Sequence, residues 1–332
     1  MYSIGLDISK STISIYIPIN NQYIDIENSL KGLKSFYSKL KKLYKKQLNK
    51  IVFVYEPTGN YSILLTKFCC KKDIKSFIIN PKQSANYAKA IGSRNKTDKV
   101  DSFILSSAIV IAKENEIKVP VINDKQETIK ELMTYYKFIV KQRVQHNNHL
   151  ESIKVKDGNS YIIKDLEKSI KKLKQQEKDI IDKTLSLIRS DSKLSNDFNN
   201  IKSIKGVGEL SAIVLLHLFI KYPNANQKQI ISLTGLDPIQ KSSGTSIKKL
   251  PKISKAGSKI YRGTLFMSVL SAIRYNPICT YFYEKLKEKG KHSTVAQIAV
   301  MRKIILIAFS LYKNNQVFDE EKYFKQKGVK LC

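Results

Sequence analysis

Residues 125–190 contain no proline and a single glycine, Gly158, which favours helix over an unusually long stretch of chain. In the second half of this stretch, apolar side chains recur on alternating three- and four-residue steps, the spacing of a coiled-coil seam. The seam consists of Ile163, Leu166, Ile170, Leu173, Ile180 and Leu187, with Glu177 and Thr184 as polar interruptions. The pattern predicts either an antiparallel or dimeric coiled coil or an ordinary long helix pair within one monomer.

The segment before this helical stretch has the pattern of an α/β domain. Residues 2–8 and 12–18 are rich in β-branched side chains and predict a hairpin, with a short third strand at 23–26. A helical periodicity runs from Leu30 to Leu43, and the continuous apolar run Ile51–Tyr55 predicts a buried strand.

Further elements complete a recognisable order. We expect a helix at 60–71, a strand at 76–79 and helices near 81–90 and 97–113. The order β-β-β-α-β-α-β-α suits a ribonuclease-H-like layer, in which acids stand at the ends of central strands and on the last helix.

Four carboxylates occupy such positions. Asp7 is near the end of the first strand and Glu56 directly follows the buried strand, while Asp98 and Asp101 share one face of a helix start. Each acid alone has a structural explanation, since acids favour helix N-termini and solvated strand ends. Together they would repel one another unless divalent cations neutralised them. Oxygen ligands favour two Mg²⁺ or Mn²⁺ ions, which could clamp a phosphodiester for in-line attack.

The chain is strongly basic, with 59 Lys and Arg against 28 Asp and Glu in 332 residues and a formal net charge of +31. Self-repulsion of this size is normally offset by a polyanion, for which nucleic acid is the natural candidate. An AT-rich genome also enriches lysine, but it does not predict clustering. Between Glu209 and Glu284, Asp237 is the only acid against ten Lys and Arg.

The C-terminal part is predicted to be mainly α-helical. Residues 201–208, with Gly206 and Gly208, precede the apolar run Leu210–Leu216 and predict a segment like a helix-hairpin-helix. Residues 233–257 indicate two polar, glycine-bearing loops that could hold phosphate through backbone amides and cations. The cations proposed to bind nucleic acid are Lys248, Lys249, Lys252, Lys255 and Arg262. A serine in these loops could act as a nucleophile, but by chemistry alone Ser242, Ser243 and Ser246 are equivalent.

Other site classes have weak support. The four cysteines form no C-x-x-C pair and no ligand spacing with the histidines, so zinc and disulfides are not expected. The N-terminus shows no basic leader before an apolar segment, and the longest apolar runs, Ala212–Ile220 and Ile304–Leu311, are too short for a bilayer. We therefore expect a cytoplasmic protein without a membrane partner.

Motifs along nearly the whole chain resemble those of insertion sequence 110 transposases and occur in that family's order. The N-terminal motifs are Ile4-Gly5-Leu6-Asp7-Ile8-Ser9-Lys10, Tyr55-Glu56-Pro57-Thr58-Gly59-Asn60-Tyr61 and Arg94-Asn95-Lys96-Thr97-Asp98-Lys99-Val100-Asp101. The downstream motifs are Gly206-Val207-Gly208, Gly235-Leu236-Asp237-Pro238, Ser243-Gly244 and Ser254-Lys255-Ala256-Gly257.

The resemblance implies a RuvC-like N-terminal domain whose metal tetrad falls on Asp7, Glu56, Asp98 and Asp101. It implies a catalytic serine at Ser243, which would become covalently linked to a cleaved DNA strand. It also implies a structured guide RNA, encoded by the element, that pairs with donor and target DNA. Dimers are expected to pair into a tetramer whose composite sites combine a metal domain and a serine domain of different subunits. The host would be a bacterium or archaeon, and the protein would be associated with its nucleoid.

These expectations divide the chain into four parts. Residues 1–122 form the metal domain, 123–192 a helical coiled-coil connector, 193–315 the transposase domain with the serine and 316–332 a tail. The predicted function is an RNA-guided DNA transposase or recombinase. Two alternatives remain open: a RuvC-like structure-specific endonuclease that hydrolyses DNA with the four acids alone, and a non-catalytic nucleic-acid-binding relic.

Overall fold

The computed structural model describes residues 1–95, 97–243 and 247–321, with the segments 241–243 and 247–250 described by their backbone alone. The chain divides into two compact units, Met1–Asn123 and Asp124–Cys332. Each unit has its own hydrophobic core. The finer division into a connector, a transposase domain and a tail stays a prediction, and residues 322–332 of that tail lie outside the described residues.

The first unit is built on a five-stranded mixed sheet. Its strands are β1 (Tyr2–Ile8), β2 (Thr12–Ile17), β3 (Gln22–Glu27), β4 (Ile51–Tyr55) and β5 (Lys75–Ile78), in the spatial order β3-β2-β1-β4-β5. The first three strands pair antiparallel, whereas β4 runs parallel to both β1 and β5. All five residues of β4 are buried, as expected for a strand covered on both faces.

Helices cover both faces of this sheet. They are α1 (Leu30–Tyr44), α2 (Ile63–Lys72), α3 (Pro81–Ala90) and α4 (Asp98–Ser107). One core lies between the sheet and α1 and α2, where Leu33, Phe36 and Leu65 pack against the strands. A smaller core on the other face joins Val52 and Val54 to Leu105 of α4. The predicted order of elements is confirmed, and it is that of a ribonuclease-H-like α/β domain.

The second unit begins with a helical hairpin of α5 (Asp124–Val155) and α6 (Ser160–Arg189). The two helices pack against each other within one chain, and the Arg143 Nε donates to a Glu177 carboxylate oxygen at 2.5 Å across the pair. Glu177 therefore interrupts the apolar seam where a cation from the facing helix meets it. Thr184 is fully buried and donates its hydroxyl to the Ile180 carbonyl at 2.7 Å.

In the part of the second unit that the structure describes, six further helices and two strands follow this hairpin. The helices are α7 (Ser192–Lys202), α8 (Glu209–Lys221), α9 (Gln227–Thr234), α10 (Lys259–Tyr275), α11 (Pro277–Glu288) and α12 (Ser293–Asn314). Their apolar residues join those of α5 and α6 in one core, with the nearly all-apolar α8 at its centre. The helix-hairpin-helix interpretation places its turn between α7 and α8 and stays a prediction.

One segment differs from its predicted form. Residues predicted as two polar loops instead form an antiparallel hairpin of β6 (Pro238–Ser243) and β7 (Ile247–Ile253). Among the described residues these two strands pair with each other and with no further strand, so the apolar periodicity of a strand within a larger sheet is not required. Pro251 in β7 lacks a backbone donor, which is tolerated in a strand with a free edge.

Helix α12 is the one helix in the described residues that is long and apolar enough to cross a membrane by length and composition. Its apolar side chains Val300, Ile304 and Ala308 are buried in the core of the second unit. A helix in the core of a protein passes the same test of length and composition, and the burial of these side chains places α12 in the core of the second unit.

Candidate active site

Two of the four predicted carboxylates leave the sheet at neighbouring strand ends. Strands β1 and β4 are parallel, and their last paired residues are Leu6 and Tyr55. Asp7 and Glu56 are the next residue of each strand path, so both carboxylates stand at the carboxyl edge of the sheet. Both side chains are partly buried.

Helix α4 crosses directly over β1 because two small-residue contacts bring their backbones together. The Ser106 hydroxyl donates to the Ser3 carbonyl at 2.6 Å. A Cβ on Gly5 would lie 1.9 Å from the Ser102 carbonyl oxygen, so only glycine permits this approach. The helix therefore runs antiparallel to the strand, with Ser106 beside Ser3 and Ser102 beside Gly5.

The same register continues to the first turn of α4, which contains Asp98 and Asp101. Thr97 caps this turn, its hydroxyl accepting from the Val100 amide at 3.3 Å. The two aspartates thus come to the end of β1 that carries Asp7. The sequence spacing predicted that the two aspartates share a helix face. The packing of α4 against β1 determines where that face lies.

The pKa of Asp7 is sensitive to the other three acids. Burial first, and then the charges of Asp101, Asp98 and Glu56, together raise the pKa of Asp7 from 3.8 to about 6. Each of the other three predicted carboxylates therefore acts on Asp7. A cluster of this kind stores repulsion that a bound cation relieves.

Within the residues described, no three acid, histidine or cysteine side chains close around a common point as a complete metal site would. The carboxylates instead stand within electrostatic range of Asp7 without converging on one position. Like charges repel, so closure of such a cluster requires the cation itself. The donor set is nevertheless the one that hard divalent cations prefer, because all four groups offer carboxylate oxygens. The residues present fit Mg²⁺ or Mn²⁺.

The second group of predicted residues lies at the hairpin β6–β7, whose base is tightly fastened. The Ser254 hydroxyl donates to the Asp237 carboxylate at 2.5 Å, and the Ser254 amide donates to the Asp237 carbonyl at 2.8 Å. Gly235 ends α9 with φ +68 and lies against Gly257, where a Cβ on either residue would collide with the other's backbone. The motifs around 235–238 and 254–257 thus join the two ends of the hairpin.

Arg262 completes this base. Its Nη1 donates to the Thr234 carbonyl at 2.7 Å and to the Gly257 carbonyl at 2.9 Å. One guanidinium nitrogen therefore ties the end of α9 to the segment that follows β7. Its predicted contact with nucleic acid stays a prediction and would use the remaining guanidinium atoms.

The other predicted residues of this region are placed along the hairpin. Ser243 is the last residue of β6 and pairs with Ile247, so it stands at the hairpin tip. The side chains of Ser243, Lys248 and Lys249 lie outside the described residues. Lys252 and Lys255 are exposed at the hairpin base, and the Lys255 amide donates to the Gly235 carbonyl at 3.0 Å.

Sequence reasoning missed the role of the residues that position these groups. Gly5 and Ser106 set the register of α4, and Gly235, Gly257 and Arg262 fasten the hairpin. A glycine inside an otherwise buried strand was the available signal for Gly5, since it marks close backbone approach.

A ribonuclease-H-like sheet with acids at two central strand ends and on the last helix defines a nuclease-like class of polynucleotidyl enzymes. Comparison with protein families agrees with this class. Residues 4–153 match a transposase family model of the DEDD type of IS110, and residues 198–284 match the "Transposase IS116/IS110/IS902 family". The chain belongs to the IS110 family of transposases, and its activity is that of a DNA transposase or recombinase.

Individual relatives agree with this membership. Pilin gene-inverting proteins of Moraxella bovis and Moraxella lacunata are each 28% identical over 327 residues, covering 96% of this chain and 97% of theirs. The insertion element IS110 uncharacterized 43.6 kDa protein of Streptomyces coelicolor is 27% identical over 122 residues, covering 36% of this chain and 29% of that protein.

Proposed function

We propose that this transposase cleaves and exchanges DNA strands with a metal site on Asp7, Glu56, Asp98 and Asp101 and a nucleophile at Ser243. The observation that supports the metal site is the placement of Asp7 and Glu56 at neighbouring strand ends, with the first turn of α4 docked at the same end. The raised pKa of Asp7, to which the three partner carboxylates contribute after burial, agrees with this placement. Bound Mg²⁺ or Mn²⁺, two ions in this proposal, would stabilise the negative charge that develops on the scissile phosphate. The four carboxylates would hold the ions at the edge of the sheet.

The role of Ser243 is supported by its place at the tip of a hairpin with a fastened base. In the proposed step, the Ser243 oxygen bonds to phosphorus and loses its proton to solvent. One bridging bond between phosphorus and a sugar oxygen breaks, and that oxygen takes up a proton. The energy of the cleaved bond is kept in the phosphoserine diester, so a second DNA end can reverse the step.

Strand exchange, and not hydrolysis, is supported by the relatives. Two proteins that match nearly the whole chain are named for inverting a gene, and inversion requires cleaved ends to be rejoined. From the resemblance we further propose that a structured guide RNA selects donor and target, and that dimers pair into a tetramer. A RuvC-like metal domain, a coiled-coil connector, a helix-hairpin-helix segment and a cytoplasmic, nucleoid-associated location belong to the same proposal.

The experiment is a denaturing gel of the full chain with labelled DNA of the element ends and target, with RNA transcribed from the element's flanks. The parent with Mg²⁺ should give a protein–DNA adduct and recombinant DNA. Ser243→Ala should give neither, whereas Ser242→Ala, which changes the neighbouring hydroxyl, should give both. Glu56→Gln and Asp98→Asn should bind DNA without cleaving it.

Each alternative outcome would indicate a different activity or a different site. Free nicked DNA without any adduct would identify a hydrolytic endonuclease. Binding without cleavage by the parent would identify a non-catalytic relic. An adduct that survives in Ser243→Ala and disappears in Ser242→Ala would move the nucleophile by one residue, and full recombination by Asp7→Asn with Mg²⁺ would contradict the metal site.

A further inference from the structure

A cavity of about 410 Å³ lies within the second unit, beside the base of the β6–β7 hairpin. Its wall includes Lys130 of α5, Lys221 of α8 and the segment Ala256–Ser258 that follows β7. The same segment is fastened to Gly235 by the hairpin base described above. Residues 256–258 therefore line the cavity and also contact the base of the hairpin that carries Ser243.

Cations and helix dipole converge on this cavity. Burial is the main cause that lowers the pKa of His217 in the cavity wall to about 4. The charges of Lys221 and Lys130 contribute in the same direction, which places both ammonium groups within electrostatic range of the ring. Helix α10 begins at the cavity with Ser258 as its N-cap, and the first amides of a helix attract anions. Glu127 is the opposing charge, and it pairs with Lys130 at 3.0 Å where both residues are partly buried.

A buried histidine gives independent support for a polar ligand in this cavity. His217 is 5% exposed, and its Nδ1 lies 3.1 Å from the Tyr261 hydroxyl. Its Nε2 is buried and has no hydrogen-bond partner among the residues that the structure describes. An unpaired buried polar atom costs free energy, and an acceptor in the cavity would remove that cost.

The carbonyls that could repel an anion here are already engaged. The C-terminal end of α9 faces the same region, but the Leu233 carbonyl accepts from the Ser258 amide at 3.3 Å. The Thr234 carbonyl accepts from Arg262. Neither of these two carbonyls is therefore left free to repel an anion in the cavity.

We propose that this cavity binds a phosphodiester of the DNA strand that the β6–β7 hairpin engages. The proposal rests on the proposed function for the role of the hairpin, and on Lys130, Lys221, His217 and the start of α10 for the chemistry of the ligand. A strand of five residue steps spans about 17 Å, so the anchored phosphate would stand about that far from Ser243 along the hairpin. Holding one phosphate at the base would fix the register of the DNA strand at the tip.

The test measures binding of a fluorescent DNA duplex to the full chain across a series of salt concentrations. Lys130→Gln with Lys221→Gln should weaken binding. The negative slope of log K against log salt should become shallower by about 1, as expected for one lost phosphate contact. Lys171→Gln with Lys172→Gln removes the same charge from exposed sites of α6 and should leave the slope unchanged. Lys130→Arg with Lys221→Arg should restore the parent slope.

Ring signals of His217 in a nuclear magnetic resonance spectrum provide a readout within the cavity. Inorganic phosphate should shift these signals in the parent and leave them unchanged in the double glutamine variant. Equal slopes for the parent and this variant, or His217 signals that ignore phosphate, would overturn the proposal. A slope that changes for single-stranded RNA and stays constant for the duplex would overturn the assignment to DNA.

Failure of this proposal can be told apart from failure of the proposed function. An adduct at Ser243 with an unchanged salt slope would retain the nucleophile and reject the cavity. A lowered slope and shifted His217 signals, without any adduct in the parent, would support the cavity and reject the nucleophile.

Discussion

Asp7 is the member of the acidic cluster whose pKa is raised by burial and by the charges of the other three carboxylates. Its pKa in the folded protein is about 6, against 3.8 as the ordinary value, so the folded state binds the proton more tightly than the unfolded state. The resulting stability is present below about pH 4 and is lost as the pH rises toward 6. At neutral pH and without a metal ion, the charged Asp7 carboxylate therefore opposes folding.

Removing this charge should stabilise the metal-free protein. In a chelating buffer at pH 7, we expect Asp7→Asn to raise the free energy of unfolding by about 1 kcal/mol. The full shift corresponds to at most about 3 kcal/mol, and solvent screening of a partly exposed group reduces it. Chemical denaturation at pH 7 and pH 4 measures the effect, which should vanish at the lower pH.

Asp25→Asn is the matched control, because this carboxylate of the same sheet accepts a hydrogen bond from Ser14 at 2.6 Å. It should not gain stability. Mg²⁺ should raise the melting temperature of the parent and not that of Asp7→Asn, since a bound ion stabilises only the state that binds it. Equal stabilisation of both by Mg²⁺ would argue against Asp7 as a ligand.

At the scale of elements, sequence patterns predicted what local preferences determine. The strand Ile51–Tyr55 follows from its continuous apolar run, and the long helices of 125–190 follow from the absence of proline. The nearness of Asp7 and Glu56 followed from their places at strand ends. These features depend on neighbours in sequence or on the simple geometry of parallel strands.

Other features depend on contacts between distant segments and could not be predicted. The register of α4 on β1 is determined by backbone approach at Gly5, which no periodicity records. The β6–β7 hairpin has too few apolar residues for a strand pattern and is held at its base by Asp237 and Ser254. The internal use of Arg262 likewise required the fold, because its acceptors are backbone carbonyls.

The docking of α4 gives a prediction at this scale. Gly5→Ala should force α4 away from β1, lower the free energy of unfolding by about 1–3 kcal/mol and displace Asp98 and Asp101. Loss of the Mg²⁺-dependent rise in melting temperature measures the displacement. Ser106→Ala, which removes the hydrogen bonds of its hydroxyl to the Ser3 carbonyl and the Ser3 hydroxyl, should cost about 1 kcal/mol and keep the Mg²⁺ response.

Gly263→Ala makes the same chemical change where nothing lies within 4 Å of the new Cβ. This residue is exposed within α10, so the substitution should stabilise the protein by up to about 1 kcal/mol through helix propensity. A Gly5→Ala protein as stable as the parent, with an unchanged Mg²⁺ response, would contradict the proposed docking.

At the scale of the whole molecule, charge and chemistry are divided between the two units. The predicted metal ligands belong to the first unit, whereas the predicted serine and the segment with ten cations and one acid between Glu209 and Glu284 belong to the second. Binding of nucleic acid is therefore expected mainly at the second unit. The formal net charge of +31 makes this binding strongly dependent on salt.

The lysines of the β6–β7 hairpin should contribute more to this salt dependence than an equal number of exposed lysines elsewhere in the second unit. Changing Lys248, Lys249 and Lys252 together to Glu should flatten the salt dependence of DNA binding. Each lost phosphate contact reduces the magnitude of the slope of log K against log salt by about 0.9. Lys164, Lys168 and Lys171 on α6 are exposed and provide a control with the same change in net charge. Fluorescence anisotropy with a DNA duplex at several salt concentrations measures both triple variants. If the slopes of the two variants fell equally, the binding would reflect net charge alone, and the hairpin would not be the surface that meets the DNA.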